Sequence, residues 1–570
     1  MAKDAFMEEV VALLAQAISS PEFEPKAIAS LVERPQPGRG DYAFPCFALS
    51  KSLKKAPQQI AATLAEKIKP SGSIARIEAA GPYVNFSVSD ERISSAAITG
   101  ILKEKERYGS APDKKKKIVI EYPSPNTNKP LHLGHIRNML LGQCISKVLT
   151  FSGFNVHQVN LNNDRGVHIC QAMLAYKLFG NGSQPNKKPD HFVGDFYVMF
   201  QKKAAEDPQL EEKVQEMLVM WEAGDSETRQ LWKKLNTWAL DGFRETYESL
   251  GIRHDRVYNE SDHYLGGKEI VQKALDKGLL ERDEKGNVII NLEKHGLPNK
   301  ILLRADGTSI YMTQDLMLAK IKYDDFRMDR SIYVVGSEQI LHFRQLFKAL
   351  ELLKIFTGEM YHLAHGMIYL PEGKMKSREG KVVDADNLIS EMVATASAEV
   401  KKRYAEISSA EIGKRARQIG LSALRFFILK HDPLKDFVFN PEESISFDGE
   451  TGPYVQYAHA RICSIIEKNG RKLPSKADFS LLKEKEEQQL VRLLYRFPEV
   501  IADSAKNYKP IVIARYLLDL SQLFNNFYHQ HQILAADAAT KDARLLLIAA
   551  IRQVLANGLS LLSIEAPEKM

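Results

Sequence analysis

The stretch IVIEYPSPNTNKPLHLGHIRNMLLGQCISKVLT, residues 118–150, decides how this chain is read. Ile118, Val119 and Ile120 form a β-branched run that reads as a buried strand, and the Ser/Pro/Asn loop from Pro125 to Pro130 cannot continue it. Beyond the loop, Ile136, Met139, Leu140, Cys144, Ile145, Val148 and Leu149 recur at helical spacing. His132-Leu133-Gly134-His135 therefore falls where a strand hands over to a helix N-terminus. Such a junction attracts anions. Unpaired backbone N–H groups and the positive end of the helix dipole favour phosphate, two imidazoles add hydrogen bonds, and Gly134 lets a flat base approach the bare backbone.

Working outward, the chain has 570 residues, too many for one core, so three or four domains are expected. Hydrophobic residues make up 44% and charged residues 26%, which excludes a disordered chain. The net charge of +6 permits a nucleic-acid partner without requiring one. Cys46, Cys144, Cys170 and Cys463 lie far apart with no C-x-x-C, which argues against a zinc site or a disulfide framework and fits a reducing compartment. The opening MAKDAFMEEVVALLAQ carries Asp4, Glu8 and Glu9, and no uninterrupted apolar run of membrane-spanning length is seen. A cytoplasmic location without membrane attachment is expected.

Residues 1–110 read as a small α+β unit, with an opening amphipathic helix through Phe6, Val10, Val11, Leu14 and Ile18, a second helix from Pro57 to Ile68, and strands at IARIEAA and YVNFSVS. The run Lys114–Lys117 closes it as a solvated charge cluster before a buried strand. An α/β unit over residues 111–393 starts at the quoted stretch and continues through FNVHQVNLNNDRG. Residues 180–246 lack strand alternation, are highly charged and hold Trp221, Trp232 and Trp238, so a helical insertion is predicted there. The α/β pattern resumes at SIYMTQDL, SIYVVGSEQ and AHGMIYL, which implies a parallel, doubly wound sheet with its ligand crevice at the C-terminal strand ends. Residues 394–450 read as a helical connection and 451–570 as an all-helical bundle.

A Lys-rich glycine loop, Gly373-Lys374-Met375-Lys376-Ser377-Arg378-Glu379-Gly380, lies far downstream of the H-x-G-H turn. Together the two stretches resemble class I aminoacyl-tRNA synthetases, which carry an HIGH-type motif and a KMSKS-type loop, and among these the arginyl-tRNA synthetases in particular. The resemblance spans essentially the whole chain, including its ending SIEAPEKM, and is most specific at residues 121–138. It implies a multidomain α/β enzyme: a Rossmann-type catalytic domain with a helical insertion, a small N-terminal α+β domain that contacts tRNA, and an all-α C-terminal bundle that binds the anticodon. The implied reaction joins L-arginine to tRNA(Arg), with ATP and Mg²⁺, through an arginyl-adenylate; a monomer with no resident metal is expected.

Activation of a carboxylate by ATP builds negative charge on phosphate oxygens, so the catalyst needs positioned donors and cations more than a nucleophile. His132, Gly134, His135, Lys374 and Lys376 are the ATP-site candidates that the resemblance implies. Aligning Lys374-Met375 with K-M-S-K-S puts Ser377 where the second lysine belongs. The resemblance implies Lys129, three residues before His132, as the replacement, although Lys376 or Arg378 serves equally on charge grounds. The resemblance places the arginine pocket at Glu121, Asn126, Tyr311, Asp315 and Gln339, a set whose acids, amides and phenol suit a planar cation with five donors. Glu121 follows a buried run, so a cationic partner is expected for it, either the substrate or a structural Lys or Arg. In the N-terminal unit the resemblance assigns Tyr83 to stack on a splayed base and Asn85 to read its edge, while strand packing is the plainer role for Tyr83. YVQYAHARI and FNNFYHQHQ resemble the anticodon-binding helices, with Tyr454 and Tyr457 read first as packing. A synthetase of the Met/Cys branch, a catalytically silent RNA-binding relative and a small-molecule nucleotidylyltransferase are the competing readings. The acidic pocket, the intact His132 and His135, and the long helical C-terminal region oppose them in turn.

Overall fold

The computed structural model describes residues 4–18, 23–36, 38–369, 371, 383–404 and 406–570. The strand and helix of the quoted stretch are Lys117–Glu121 and Leu133–Phe151. Successive side chains of this strand leave on opposite faces. Ile118 and Ile120 join a buried cluster with Ile136, Met139 and Leu140, while Val119 joins another with Leu318, Met328 and Phe356. The helix Leu133–Phe151 thus covers one face of the sheet and the helix Tyr311–Phe326 the other. A strand buried on both sides has no polar alternation, which is why IVI reads as a continuous apolar run.

Five strands lie in the order Glu359–His365, Arg330–Gly336, Lys117–Glu121, Asn155–Asn162, Arg256–Asn259, and every neighbouring pair is parallel. The chain builds outward from Lys117–Glu121 to one edge and then returns to build the other half from Arg330–Gly336. Ligands of such sheets bind where this order reverses, outside the carboxyl ends of the two central strands. The H-x-G-H turn begins the helix that follows the first of them.

Three features differ from the sequence reading. SIYMTQDL opens the helix Tyr311–Phe326: Met312, Leu316 and Ala319 are buried at helical spacing while Tyr311 is 75% exposed. A three-stranded antiparallel sheet, Glu281–Arg282, Val288–Ile290 and Lys300–Leu303, precedes it. Its strands are too short for a period-2 pattern to declare itself. Finally, Ala538–Leu561 is long and apolar enough to cross a membrane by length and composition, but most of it is buried among the C-terminal helices. Asp542, Arg544 and Arg552 break up its apolar run in the linear sequence.

The helical insertion consists of Pro189–Glu206, Gln209–Glu222 and Ser226–Ser249. Phe192, Phe196, Phe200 and Val214 pack there with Ile169 and Met173 of the preceding helix Val167–Phe179. At the N-terminus Tyr83–Val88 lies between Tyr42–Pro45 and Ile74–Ala80, antiparallel to both. Ion pairs fasten this unit to the C-terminal helices, with Arg492 reaching Asp41 at 2.9 Å and Asp90 at 2.6 Å.

Arg137 locks the helix Leu133–Phe151 in place. Its side chain is almost fully buried and donates to the carbonyls of Gly366 (2.7 Å), Met367 (3.1 Å), Pro433 (2.8 Å) and Lys435 (2.8 Å). Burial pulls the guanidinium down to about 10, well above neutrality, so the charge stays on. The same two segments pair as short parallel strands at Ile368–Tyr369 and Phe437–Val438. Arg137→Met would strip a charged donor from four carbonyls. A loss of about 3 kcal/mol is expected, which lowers the unfolding temperature of the catalytic unit by roughly 6–12 °C. An unchanged thermal transition would show that these hydrogen bonds do not hold the helix.

Candidate active site

His132 is the N-cap of the helix Leu133–Phe151, an unusual residue for that place. Its Nδ1 accepts from the Gly134 N–H at 3.2 Å, and its own N–H donates to His135 Nδ1 at 3.1 Å. This reciprocal pattern is a capping box built from two imidazoles, whose ring centroids lie 3.8 Å apart. Because both Nδ1 atoms accept, a neutral ring must carry its proton on Nε2. The rings are neutral: burial, reinforced by the charge of Lys129, pushes His132 down to about 4 and holds His135 well below the ordinary histidine range. The turn therefore presents two Nε2–H donors beside the positive end of a helix. A Cβ on Gly134 would lie 3.0 Å from His132 Cε1 and 3.1 Å from Nδ1, so only glycine leaves the first ring undisturbed.

Lys129 is half-buried and close enough to depress both histidines. The loop before it is held by amides: Asn160 Oδ1 accepts from the Ser124 N–H (3.0 Å), Asn163 Nδ2 donates to the Ser124 carbonyl (2.9 Å), and Asn126 and Asn163 form a parallel bridge. Asn126 itself is exposed. Lys374 and Lys376 lie outside the described residues. The strand Ile368–Tyr369, which precedes them in the chain, lies beside the Arg137 clamp. Beyond it, the Leu133 N–H donates to the Val383 carbonyl (2.9 Å) and the Ala385 N–H to the Leu131 carbonyl (3.0 Å).

Glu121 does find a cation, and it is Lys322. The Lys322 ammonium, fully buried, donates to Glu121 Oε2 at 2.7 Å and sits 3.8 Å from the centre of the Tyr333 ring. Burial works against its charge, but Glu121 and Tyr333 outweigh it and raise its pKa. Glu121 Oε1 accepts from Ser124 Oγ at 3.3 Å, so both carboxylate oxygens are engaged. The geometry of Glu121 is thus that of the alternative, a structural ion pair.

The remaining acids collect at the neighbouring strand end. Asp315 Oδ2 lies 2.7 Å from His342 Nε2, on the helix that starts just after Gln339. Glu260 is buried beside it, and burial followed by the charges of Asp164 and Asp315 pushes its carboxyl up to about 7 even though Arg165 pulls the other way. Arg165 stands 3.7 Å from Glu260, is paired with Glu222 at 2.5 Å, and lies 4.2 Å from the centre of the Tyr264 ring. Three acids within mutual influence and one arginine already shared with Glu222 make a site short of positive charge. Tyr311 and Gln339 are exposed on the same elements. Sequence reasoning missed Glu260, Asp164 and His342. Asp164 was visible in the polar loop NNDRG after the second strand, whereas nothing in YNESDHY sets Glu260 apart from a surface acid.

Away from this crevice, Tyr83 packs edge-on against Phe47 at 5.9 Å, and Asn85 shares its groove with Arg34, Gln36 and Arg39. In the C-terminal bundle Tyr454 is a packing residue whose hydroxyl accepts from Asn525 (3.0 Å). Tyr457 lines an open cleft with Arg461, Lys468, Tyr528 and His529, and the Arg461 guanidinium lies 4.6 Å from Tyr457 and 5.2 Å from Tyr528.

The depressed histidines link pH to stability with a definite sign. His132 is neutral in the folded chain down to about pH 4, whereas an unfolded histidine takes up its proton near 6.5. Its contribution to stability is complete above about pH 6.5 and is lost as pH falls toward 4. With ¹⁵N-labelled histidine, both rings should show the Nε2–H form at pH 6. Titration of either ring near its ordinary value would contradict the burial assignment. Gly134→Ala should displace His132 and lower turnover by roughly ten- to a hundred-fold with little loss of fold.

Comparison with known proteins accounts for all three regions. Residues 97–441 match the family described as "tRNA synthetases class I (R), catalytic domain", residues 455–570 the "DALR anticodon binding domain" and residues 8–88 the "Arginyl tRNA synthetase N terminal domain". The arginine–tRNA ligase of Treponema denticola is 43% identical over 94% of either chain, and that of Parabacteroides distasonis is 41% identical over 93% of this chain and 94% of its own. Among solved structures, the Thermus thermophilus arginyl-tRNA synthetase superposes with a TM-score of 0.84 at 27% identity over the full length of both chains. The chain belongs to the arginyl-tRNA synthetase family of class I aminoacyl-tRNA synthetases.

Proposed function

We propose that this chain ligates L-arginine to tRNA(Arg), forming arginyl-adenylate from ATP with release of pyrophosphate and then transferring the arginyl group to tRNA with release of AMP. The arginine carboxylate attacks the α-phosphorus, the bond to the leaving pyrophosphate breaks, and the growing charge on the phosphate oxygens is met by the two Nε2–H donors and the helix N-terminus. Lys129 supplies the nearby cation, and Lys374 and Lys376 are the further cations assigned to the phosphates. Mg²⁺ arrives on the phosphates of ATP, which are its preferred ligands. The catalytic unit is residues 111–393, with the insertion at 180–246 and a helical connection at 394–450.

The observation that carries arginine as the substrate is the acidic cluster. Glu260 and Asp315, together with Tyr311, Gln339 and Asn126, are the groups assigned to the guanidinium, while Glu121 is paired with Lys322. tRNA contacts are assigned to Tyr83 and Asn85 at residues 1–110 and to the aromatic and basic cleft around Tyr457 and Arg461 at residues 451–570. A cytoplasmic monomer accompanies this reading. The four cysteines, all free, support the compartment.

Two measurements test the substrate. Hydrogen bonds to charged groups contribute about 1.5–3 kcal/mol, so Asp315→Asn or Glu260→Gln should weaken arginine use in ATP–pyrophosphate exchange by roughly ten- to two-hundred-fold while leaving ATP affinity nearly unchanged. Both variants should also discriminate less against citrulline, which has arginine's length without its charge. Full arginine activity with unchanged discrimination would refute the assignment. The second is pH: Glu260 pairs with a cation only when ionised, and its carboxyl is pushed up to about 7. KM for arginine should therefore fall as pH rises from 6 to 8, and a flat profile would remove Glu260 from the pocket.

A further inference from the structure

The helical insertion reaches back to the H-x-G-H turn at two independent points. On its first helix, Gly194 packs so closely on the loop before the turn that a Cβ there would lie 2.6 Å from Pro130 Cδ. One turn earlier, His191 Nε2 lies 3.1 Å from Asp386 Oδ2 and 3.3 Å from Asp384 Oδ2. Lys188, just ahead of the helix, donates to Asp386 (2.7 Å), Asp190 (3.1 Å) and Thr246 Oγ1 (2.7 Å), and Thr246 in turn donates to Asp386 Oδ1 (2.9 Å). Asp190 is fully buried, pressed against Gly242 of the third insertion helix.

These contacts grip the segment that borders the catalytic turn. Asp384 is the N-cap of the helix Ala385–Arg403 and forms an antiparallel bridge with His132 itself. The hydrogen bonds from Leu133 to Val383 and from Ala385 to Leu131 flank that bridge. The ligand atoms of Asp190, His191 and Asp386 lie within 4.8 Å of one another, the spacing of a metal site, but the ammonium of Lys188 already stands among them. The cluster is an ion-paired and hydrogen-bonded strut.

We propose that His191 and Lys188 are positioning residues for the adenylation step: acting through Asp384 and Asp386, they fix the backbone of residues 131–133 and with it the direction of the two histidine donors. The insertion then sets the geometry of phosphate chemistry without touching ATP. The proposal rests on the arginine-activating function given above. Residues 131–133 lie on the phosphate side of the crevice and the acidic cluster on the other, so the effect falls on turnover and not on arginine affinity.

The experiment is arginine-dependent ATP–pyrophosphate exchange with tRNA present, on the full chain and on His191→Ala, His191→Gln and Gly194→Ala. Loss of the imidazole should lower kcat about tenfold with KM for arginine unchanged, and glutamine, which keeps an N–H donor on a side chain of similar reach, should restore most of it. Gly194→Ala should show the same split by displacing Pro130. Wild-type kcat in His191→Ala would overturn the proposal, as would a matched rise in KM for arginine without rescue by glutamine. If the full chain itself shows no arginine-dependent exchange, the functional reading fails instead. The positioning claim then stands or falls on whether the ¹⁵N shifts of His132 move in His191→Ala.

Discussion

Two hydrogen bonds, from the His132 N–H to His135 Nδ1 and from the Gly134 N–H to His132 Nδ1, set the terms for the rest of the site. They satisfy backbone donors at the start of the helix, and they occupy both Nδ1 atoms, so the direction of each Nε2–H follows from the cap itself. Burial then removes the positive charge that would otherwise make the pair repel at a 3.8 Å ring separation. A neutral pair of oriented donors costs nothing to reorganise when charge develops on a phosphate. The surroundings maintain this arrangement. Arg137 anchors the next turn of the helix to two distant segments, and the bridge between His132 and Asp384 holds the turn from its open side.

Electrostatics divides the crevice into two halves of opposite need. The phosphate side gathers a helix N-terminus, Lys129 and neutral donors, all suited to an anion. The other side gathers Asp164, Glu260 and Asp315 near one arginine that Glu260 shares with Glu222, and the Glu260 carboxyl rises because it is buried, with the charges of Asp164 and Asp315 adding to burial against the pull of Arg165. In the proposed reaction ATP completes one half and arginine the other. Glu121, between them on the central strand, is already balanced by Lys322, and a buried pair of this kind is most costly when only one partner is removed. Its closure leaves the neighbouring strand end as the place where a substrate cation gains most.

The α/β architecture was legible because its evidence is local. A β-branched run, a proline-broken loop and a helical period stand in sequence within residues 118–150, and the N-terminal strands and C-terminal helices show equally plain periods. The three-stranded antiparallel sheet was not legible, since strands such as Glu281–Arg282, only two residues long, are too short to carry a period of their own. The same distinction runs through the site. His132 and His135 announce themselves three residues apart, whereas Glu260 matters because folding sets it beside Asp164 and Asp315. Lys322 illustrates the converse. It sits in the charged sequence AKIKYDD and reads as surface, yet it is fully buried because Glu121, at the end of the central strand, receives its charge.

A crystal structure with a non-hydrolysable arginyl-adenylate analogue tests the central claim most directly, because one ligand spans both halves of the crevice. The account predicts the phosphate-mimicking oxygens within hydrogen-bond distance of Nε2 of His132 and His135, and the guanidinium between Glu260 and Asp315. A guanidinium bound elsewhere, or imidazoles that meet the ligand through Nδ1, would contradict it.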